Sequence, residues 1–184
     1  MNKKSPFAIV AFFAITVCLH AQPAANDIIV TTGAGKVRGS ISNGVAVFKS
    51  IPYAAPPIGE NRFAAPVPHP PWDDIRDATK QGPTAPFNVP PAGDFETESV
   101  LGKGWIKGDD FLAVNVWTPG TNEKNLPVMV YIHGGAFAIG TSDVALFDGS
   151  SFAKKGVILV SLNYRMGIEG FLKNAWCANQ YWHS

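Results

Sequence analysis

The segment of this sequence with the clearest chemical meaning runs Leu126-Pro-Val-Met-Val-Tyr-Ile-His-Gly-Gly-Ala-Phe137, where an apolar run opens directly onto His133-Gly134-Gly135-Ala136. Glycines at the end of a strand let the backbone turn sharply and leave N–H groups uncovered by a Cβ. Fixed N–H donors of this kind stabilise negative charge as it develops on an oxygen, which is what acyl transfer asks for at its carbonyl oxygen. Removing one such donor typically costs about 2.7–4 kcal/mol of transition-state stabilisation. A strand followed by two glycines is also a common tight turn, and the loop by itself leaves both readings open.

An oxyanion loop serves a nucleophile, and the natural one is a serine on a sharp strand-to-helix turn, G-x-S-x-G, followed along the chain by an acid and a histidine. None of Ser40, Ser42, Ser50, Ser99, Ser142, Ser150, Ser151 and Ser161 has glycine at both flanking offsets. Ser151 follows Gly149 but is trailed by Phe152 and Ala153. Of the histidines, His20 lies in the leader, His69 in a proline-rich loop, His133 in the glycine loop and His183 next to the end. None is placed to act as the base of a triad. No His/Cys/Asp grouping has metal-ligand spacing, so neither a metal nor a cofactor is expected. Net charge is +1 and no basic cluster stands out, which gives nucleic acid nothing to bind.

The elements that must position the loop are legible in outline. Asn2-Lys3-Lys4 and the apolar run Phe7 to Leu19 read as a secretory signal, since the run is too short to cross a hydrocarbon core of about 30 Å. Ala21 is the expected cleavage site, so residues 1–21 are taken as a signal peptide and the product as secreted or periplasmic, free of the membrane after cleavage. The two cysteines are Cys18 and Cys177; the first leaves with the signal, so no intramolecular disulfide is expected. Ile28 to Thr31, Lys36 to Ile41 and Ala46 to Ser50 read as strands, and Asn43-Gly44 is a strong hairpin signal because type I′ turns need positive φ twice. Residues 51–91 are rich in proline yet carry Tyr53, Phe63, Trp72 and Phe87, which suits ordered coil packed on a domain better than a solvated linker. Phe111 to Trp117, Val128 to Ile132 and Val157 to Leu162 are continuous apolar runs, the pattern of strands buried on both faces. A short helix is expected over Asp148 to Lys155, ending at Gly156. The expected class is α/β: an antiparallel meander leading into a mixed, mostly parallel central sheet.

Several motifs then occur in order: Phe48-Lys-Ser-Ile-Pro-Tyr-Ala-Ala-Pro-Pro57, Gly59-Glu-Asn-Arg-Phe63, Asp109-Asp-Phe-Leu-Ala-Val-Asn-Val-Trp-Thr-Pro119, the His-Gly-Gly loop, and Leu162-Asn-Tyr-Arg-Met-Gly167. Together they resemble the N-terminal third of the type-B carboxylesterases, from about Val37 to Leu172. The resemblance implies a partial α/β-hydrolase fold over residues 22–184 and the chemistry of serine ester hydrolysis on a small-molecule ester. It implies that the N–H groups of Gly135 and Ala136, supported by Gly134, form the oxyanion hole, and that Arg62, Asp109, Asp110 and Arg165 form structural ion pairs. Ala85 and Phe111 stand where many members pair two cysteines, with Phe111 filling the space apolarly. After Leu172 the residues from Lys173 to Ser184 depart from the family pattern. The nucleophile and later triad members are absent from this sequence, so the chain alone is expected to be inactive. A non-catalytic, cholinesterase-like binding domain and a non-functional gene fragment are the alternative readings. The open edge beside Val157 to Leu162 is expected to make the isolated chain prone to aggregate.

Overall fold

The computed structural model describes residues 26–88 and 106–171. The signal peptide expected over residues 1–21 and the tail after Leu172, expected to depart from the family pattern, lie outside the described residues. The chain opens with β1 (Asp27–Thr32), β2 (Gly35–Ser42) and β3 (Val45–Pro52), an antiparallel meander. Its second turn has the chemistry that Asn-Gly announces, with φ +50° at Asn43 and +77° at Gly44. From Tyr53 to Phe87 the chain is mostly coil, interrupted by a 3₁₀ turn at Gly59–Asn61 and by β4 (Arg76–Asp77), which pairs parallel with β2. It is packed coil, as its aromatic residues suggested. Trp72 Nε1 donates to the Lys36 carbonyl at 2.8 Å, Tyr53 Oη donates to the Asn163 carbonyl at 2.8 Å, and Phe87 is buried.

The three apolar runs of the second half form β5 (Ala113–Thr118), β6 (Val128–Ile132) and β7 (Ile158–Leu162). Helix α1 (Ser150–Ala153) precedes β7, and Gly156 ends the connection at φ +80°. Helix α2 (Gly167–Phe171) follows β7. The seven strands of the described residues join one mixed sheet, in the order β1-β2-β3-β5-β7-β6 with β4 beside β2. The parallel pairings among the described residues are β6–β7 and β2–β4, while β5 runs antiparallel to both β3 and β7.

Two faces follow from the register. Val45, Val47, Trp117 and Leu159 share one face, where Ala153 of α1 closes over them and Tyr131 packs at the side. Ala46, Phe48 and Val116 lie on the other, with Val37, Ala78 and Trp72 packed on them from the meander and the coil. Toward β6 that second face is uncovered. Val128, Val130 and Ile132 are exposed, and so is Met129 on the α1 side. The expectation that this run is buried on both faces therefore fails for β6. The reason is its position: among the described residues β6 is the edge strand, and β7, which the sequence placed at the open edge, is paired on both sides. No helix among the described residues is long and apolar enough to cross a membrane.

Candidate functional site

Strand β6 delivers the chain at Ile132 into the His133–Gly140 loop. Three consecutive residues there take positive φ: Gly135 at +121°, Ala136 at +54° and Phe137 at +60°. Glycine at 135 is required sterically as well, because a Cβ would collide with the Ile139 carbonyl. At Gly134 a Cβ would meet nothing within 4 Å, so the loop is open to solvent on that side. The carbonyls of the loop are tied down. His133 Nδ1 lies 2.8 Å from the Gly134 carbonyl oxygen, and the Gly135 carbonyl accepts from the N–H groups of Ala138 (3.0 Å) and Ile139 (3.1 Å). In a trans peptide the N–H points opposite to the C=O of the same plane. Holding those two carbonyls therefore fixes where the Gly135 and Ala136 N–H groups aim. Among the described residues neither N–H is spent on a hydrogen bond within the chain.

His133 is buried, 4 % exposed, beneath this loop. Its ring stacks on Tyr164 at a centroid distance of 4.5 Å and 21° between planes, and Tyr164 Oη donates to the His133 carbonyl at 2.9 Å. Burial holds the imidazole below its ordinary pKa, outweighing the opposing effect of its contact with the Gly134 carbonyl. A neutral ring facing a carbonyl must carry its proton on that side, so Nδ1 is the donor and Nε2 keeps a lone pair. Nε2 is buried without a hydrogen-bond partner among the described residues. Burial also raises the Tyr164 phenol, which stays protonated as the donor this contact needs.

The far end of the loop is fixed by a buried polar network. The Ser142 N–H donates to Asn163 Oδ1 at 2.8 Å, and Thr141 Oγ1 approaches the same oxygen at 3.4 Å. Asn115 Nδ2 donates to Ser142 Oγ at 3.1 Å, while Asn115 Oδ1 accepts from the Ser50 N–H at 2.9 Å. Ser161 Oγ donates to the Ser142 carbonyl at 3.1 Å. Asn115 and Asn163 lie on or next to strands β5 and β7, and the sequence reading passed over both as site residues. The signal was present in FLAVNVW and VSLNYR, where a polar side chain interrupts an apolar run and must find buried partners.

The four charged residues are distributed as follows. Arg62 bonds Glu169 at 2.6 Å and lies over Phe63, its guanidinium carbon 5.2 Å from the ring centroid. Asp110 pairs with Arg76 and stands 3.6 Å from His69 Nε2. Arg165 Nη1 donates to the Ala64 carbonyl at 2.7 Å. Asp109 lines a cleft of about 400 Å³ with Arg62, Lys107 and Glu169. Thus Arg62 and Asp110 take partners outside the four, and the partners link motifs distant in sequence. A smaller cleft of about 240 Å³ lies between Tyr53, Tyr164, Arg165 and Phe171. The glycine loop lines neither cleft. Ala85 and Phe111 are both buried in one apolar cluster with Leu112 and Met166. No group of His, Cys, Asp and Glu able to hold a metal ion occurs among the described residues.

Residues 26–176 match the model of the carboxylesterase family, a span that ends slightly beyond Leu172. The para-nitrobenzyl esterase of Bacillus subtilis is 47 % identical over 149 residues, covering 78 % of this chain and 29 % of its own length. The cholinesterase of Mus musculus is 40 % identical over 152 residues, covering 79 % of this chain and 25 % of its own length. A thermophilic PNB esterase of known structure superposes with a TM-score of 0.72 at 45 % identity, covering 83 % of this chain and 31 % of that one. The chain thus spans between a quarter and a third of the length of these relatives.

Proposed function

The chain belongs to the carboxylesterase family, and on that premise we propose that it carries the oxyanion loop of a serine-dependent hydrolase of small-molecule carboxylic esters. The observation that supports this reading is the pair of N–H groups at Gly135 and Ala136, both unspent, with the carbonyl of each peptide plane held from behind. In the reaction, a serine oxygen adds to the ester carbonyl and charge moves onto the carbonyl oxygen. The two N–H groups would receive that charge without reorganising, which is where such donors contribute most. The serine, its base and the acid behind it are not in this sequence, so this chain by itself does not turn over esters. Arg62, Asp109, Asp110 and Arg165 are structural: Arg62 and Arg165 hold the coil around Phe63 to α2 and the segment before it, Asp110 ties β4 to the approach to β5, and Asp109 sits in the cleft beside Arg62. Residues 1–21 direct export, and residues 22–184 belong to a single carboxylesterase domain.

The test is a graft. Residues 26–171 replace the matching segment of the Bacillus subtilis para-nitrobenzyl esterase, and the graft and the isolated chain are assayed on a small nitrophenyl ester. The graft should hydrolyse it, and the isolated chain should neither hydrolyse it nor be labelled by a serine-reactive phosphonate. A folded but inactive graft would show that the loop is not an oxyanion site, and stoichiometric labelling of the isolated chain would place a nucleophile within it.

A further inference from the structure

The His133 side chain is not explained by burial alone. A neutral imidazole with one bare nitrogen in the interior loses the hydrogen bonds that water would give it, and an apolar side chain would avoid that loss. Three features converge on its other nitrogen. Nδ1 meets the Gly134 carbonyl at 2.8 Å. Tyr164 stacks on the ring and bonds the His133 carbonyl, so neither ring nor backbone is free to swing. Gly140, at φ +115°, crosses directly over the bond: a Cβ there would stand 2.6 Å from Nδ1 and 2.7 Å from the Gly134 oxygen.

We infer that His133 is a positioning residue for the first oxyanion donor, holding the Gly134 carbonyl through Nδ1 so that the Gly135 N–H of the same peptide plane faces the site. This rests on the reading of the loop as an oxyanion site, although the geometry it claims is testable without any hydrolysis. Peptide planes flanked by glycine rotate easily, because no Cβ restricts them. Without a hold on its oxygen, the 134–135 plane would turn and carry the N–H away. The plane of Ala136 is held differently, by Ala138 and Ile139 from the backbone. His133 therefore acts on one donor of the two.

The decisive experiment is nuclear magnetic resonance on the full chain carrying Val130→Lys, a charge on the exposed β6 face that opposes self-association, with labelled histidine, glycine and alanine nitrogens and labelled glycine carbonyl carbons. The expected result is a neutral His133 protonated on Nδ1, with coupling through the hydrogen bond to the Gly134 carbonyl carbon. In His133→Ala the Gly135 amide should shift strongly while that of Ala136 moves little. His133→Asn, whose amide nitrogen reaches the place of Nδ1, should restore the Gly135 signal. Gly140→Ala keeps the imidazole and pushes the bond apart, so it should displace the Gly135 amide even where His133→Ala fails to fold. A proton found on Nε2, or a Gly135 amide unmoved by both His133→Ala and Gly140→Ala, overturns the inference. In the active graft, His133→Ala should lower kcat by as much as about 10²-fold with KM little changed, and His133→Asn should recover most of it. Equal kcat in graft and variant overturns the inference too. A graft inactive with His133 in place counts against the oxyanion reading, and the resonance result still decides the role of His133.

Discussion

Ala136 and Phe137 both carry a side chain in the left-handed region, at φ +54° and +60°, a conformation that costs a residue with a Cβ roughly 1–2 kcal/mol. Ala136→Gly removes that strain at 136 but frees the unfolded chain by about 0.4–1 kcal/mol. The net expectation is a gain in stability of up to about 1.6 kcal/mol, read as a higher denaturant midpoint at unchanged slope. A loss of stability would mean that the Ala136 methyl makes a contact worth more than the strain. His133 carries the pH dependence of the loop. Its folded pKa lies below the ordinary 6.5 because it is buried. As pH falls through about 6.5 the unfolded histidine takes up a proton and the folded one does not. Stability is thus full above that pH and is lost as pH falls toward the lowered folded value. His133→Asn should flatten the fall of Tm between neutral pH and pH 5, and parallel curves for the two proteins would remove His133 as the cause. At this scale the glycine loop was legible because glycine before a turn has a backbone meaning. The Gly134 contact of His133 was not, since a histidine in sequence does not announce which nitrogen it uses.

Strands were legible where a period or a turn residue marks them. The meander came through with its Asn43-Gly44 turn, and β5, β6 and β7 came through as apolar runs, to within a residue or two at their ends. β4 did not, because two residues of extended chain at Arg76–Asp77 carry no period and are held by pairing with Val37 and Arg38 of β2. The network that ties the elements together was equally hidden. Its members are polar residues of unremarkable type, and their partners are up to 110 positions away, as with the Asn163 carbonyl and Tyr53 Oη at 2.8 Å. Asn163 illustrates the stakes. It is 2 % exposed, and its side-chain oxygen receives the buried Ser142 N–H. Asn163→Ala leaves that donor unpaired in the interior, which costs about 1–3 kcal/mol. Urea unfolding should show a loss of that size, with the denaturation slope unchanged. A change of less than about 0.5 kcal/mol, the range of ordinary surface substitutions, would mean that water reaches Ser142 and the network does not anchor the loop.

At the scale of the whole molecule, the sheet is covered unevenly. One face has α1 across β5 and β7, and the other is covered from the meander and the proline-rich coil as far as Val116. Beyond β7 nothing among the described residues lies over Val128, Val130 and Ile132, and β6 has an unpaired edge as well. Edge strands that stay monomeric usually carry a charge, a proline or a bulge. The stretch Val-Met-Val-Tyr-Ile has none of these. Relatives three times as long or more have further chain with which to cover such a strand, and the described residues of this chain leave it uncovered. The isolated chain should therefore associate through β6 at micromolar concentration, seen as a concentration-dependent sedimentation coefficient. Val130 is the position to test, because it is 57 % exposed and belongs to the uncovered face. Val130→Lys places a charge in the middle of the edge, where pairing with a second copy would bury it. The variant should sediment as a monomer and keep the far-ultraviolet circular dichroism of the parent, since its backbone pairing to Val160 is untouched. If the parent is itself monomeric, with a sharp cooperative thermal transition, then the β6 edge is protected by something other than the described residues, and self-association through it is wrong.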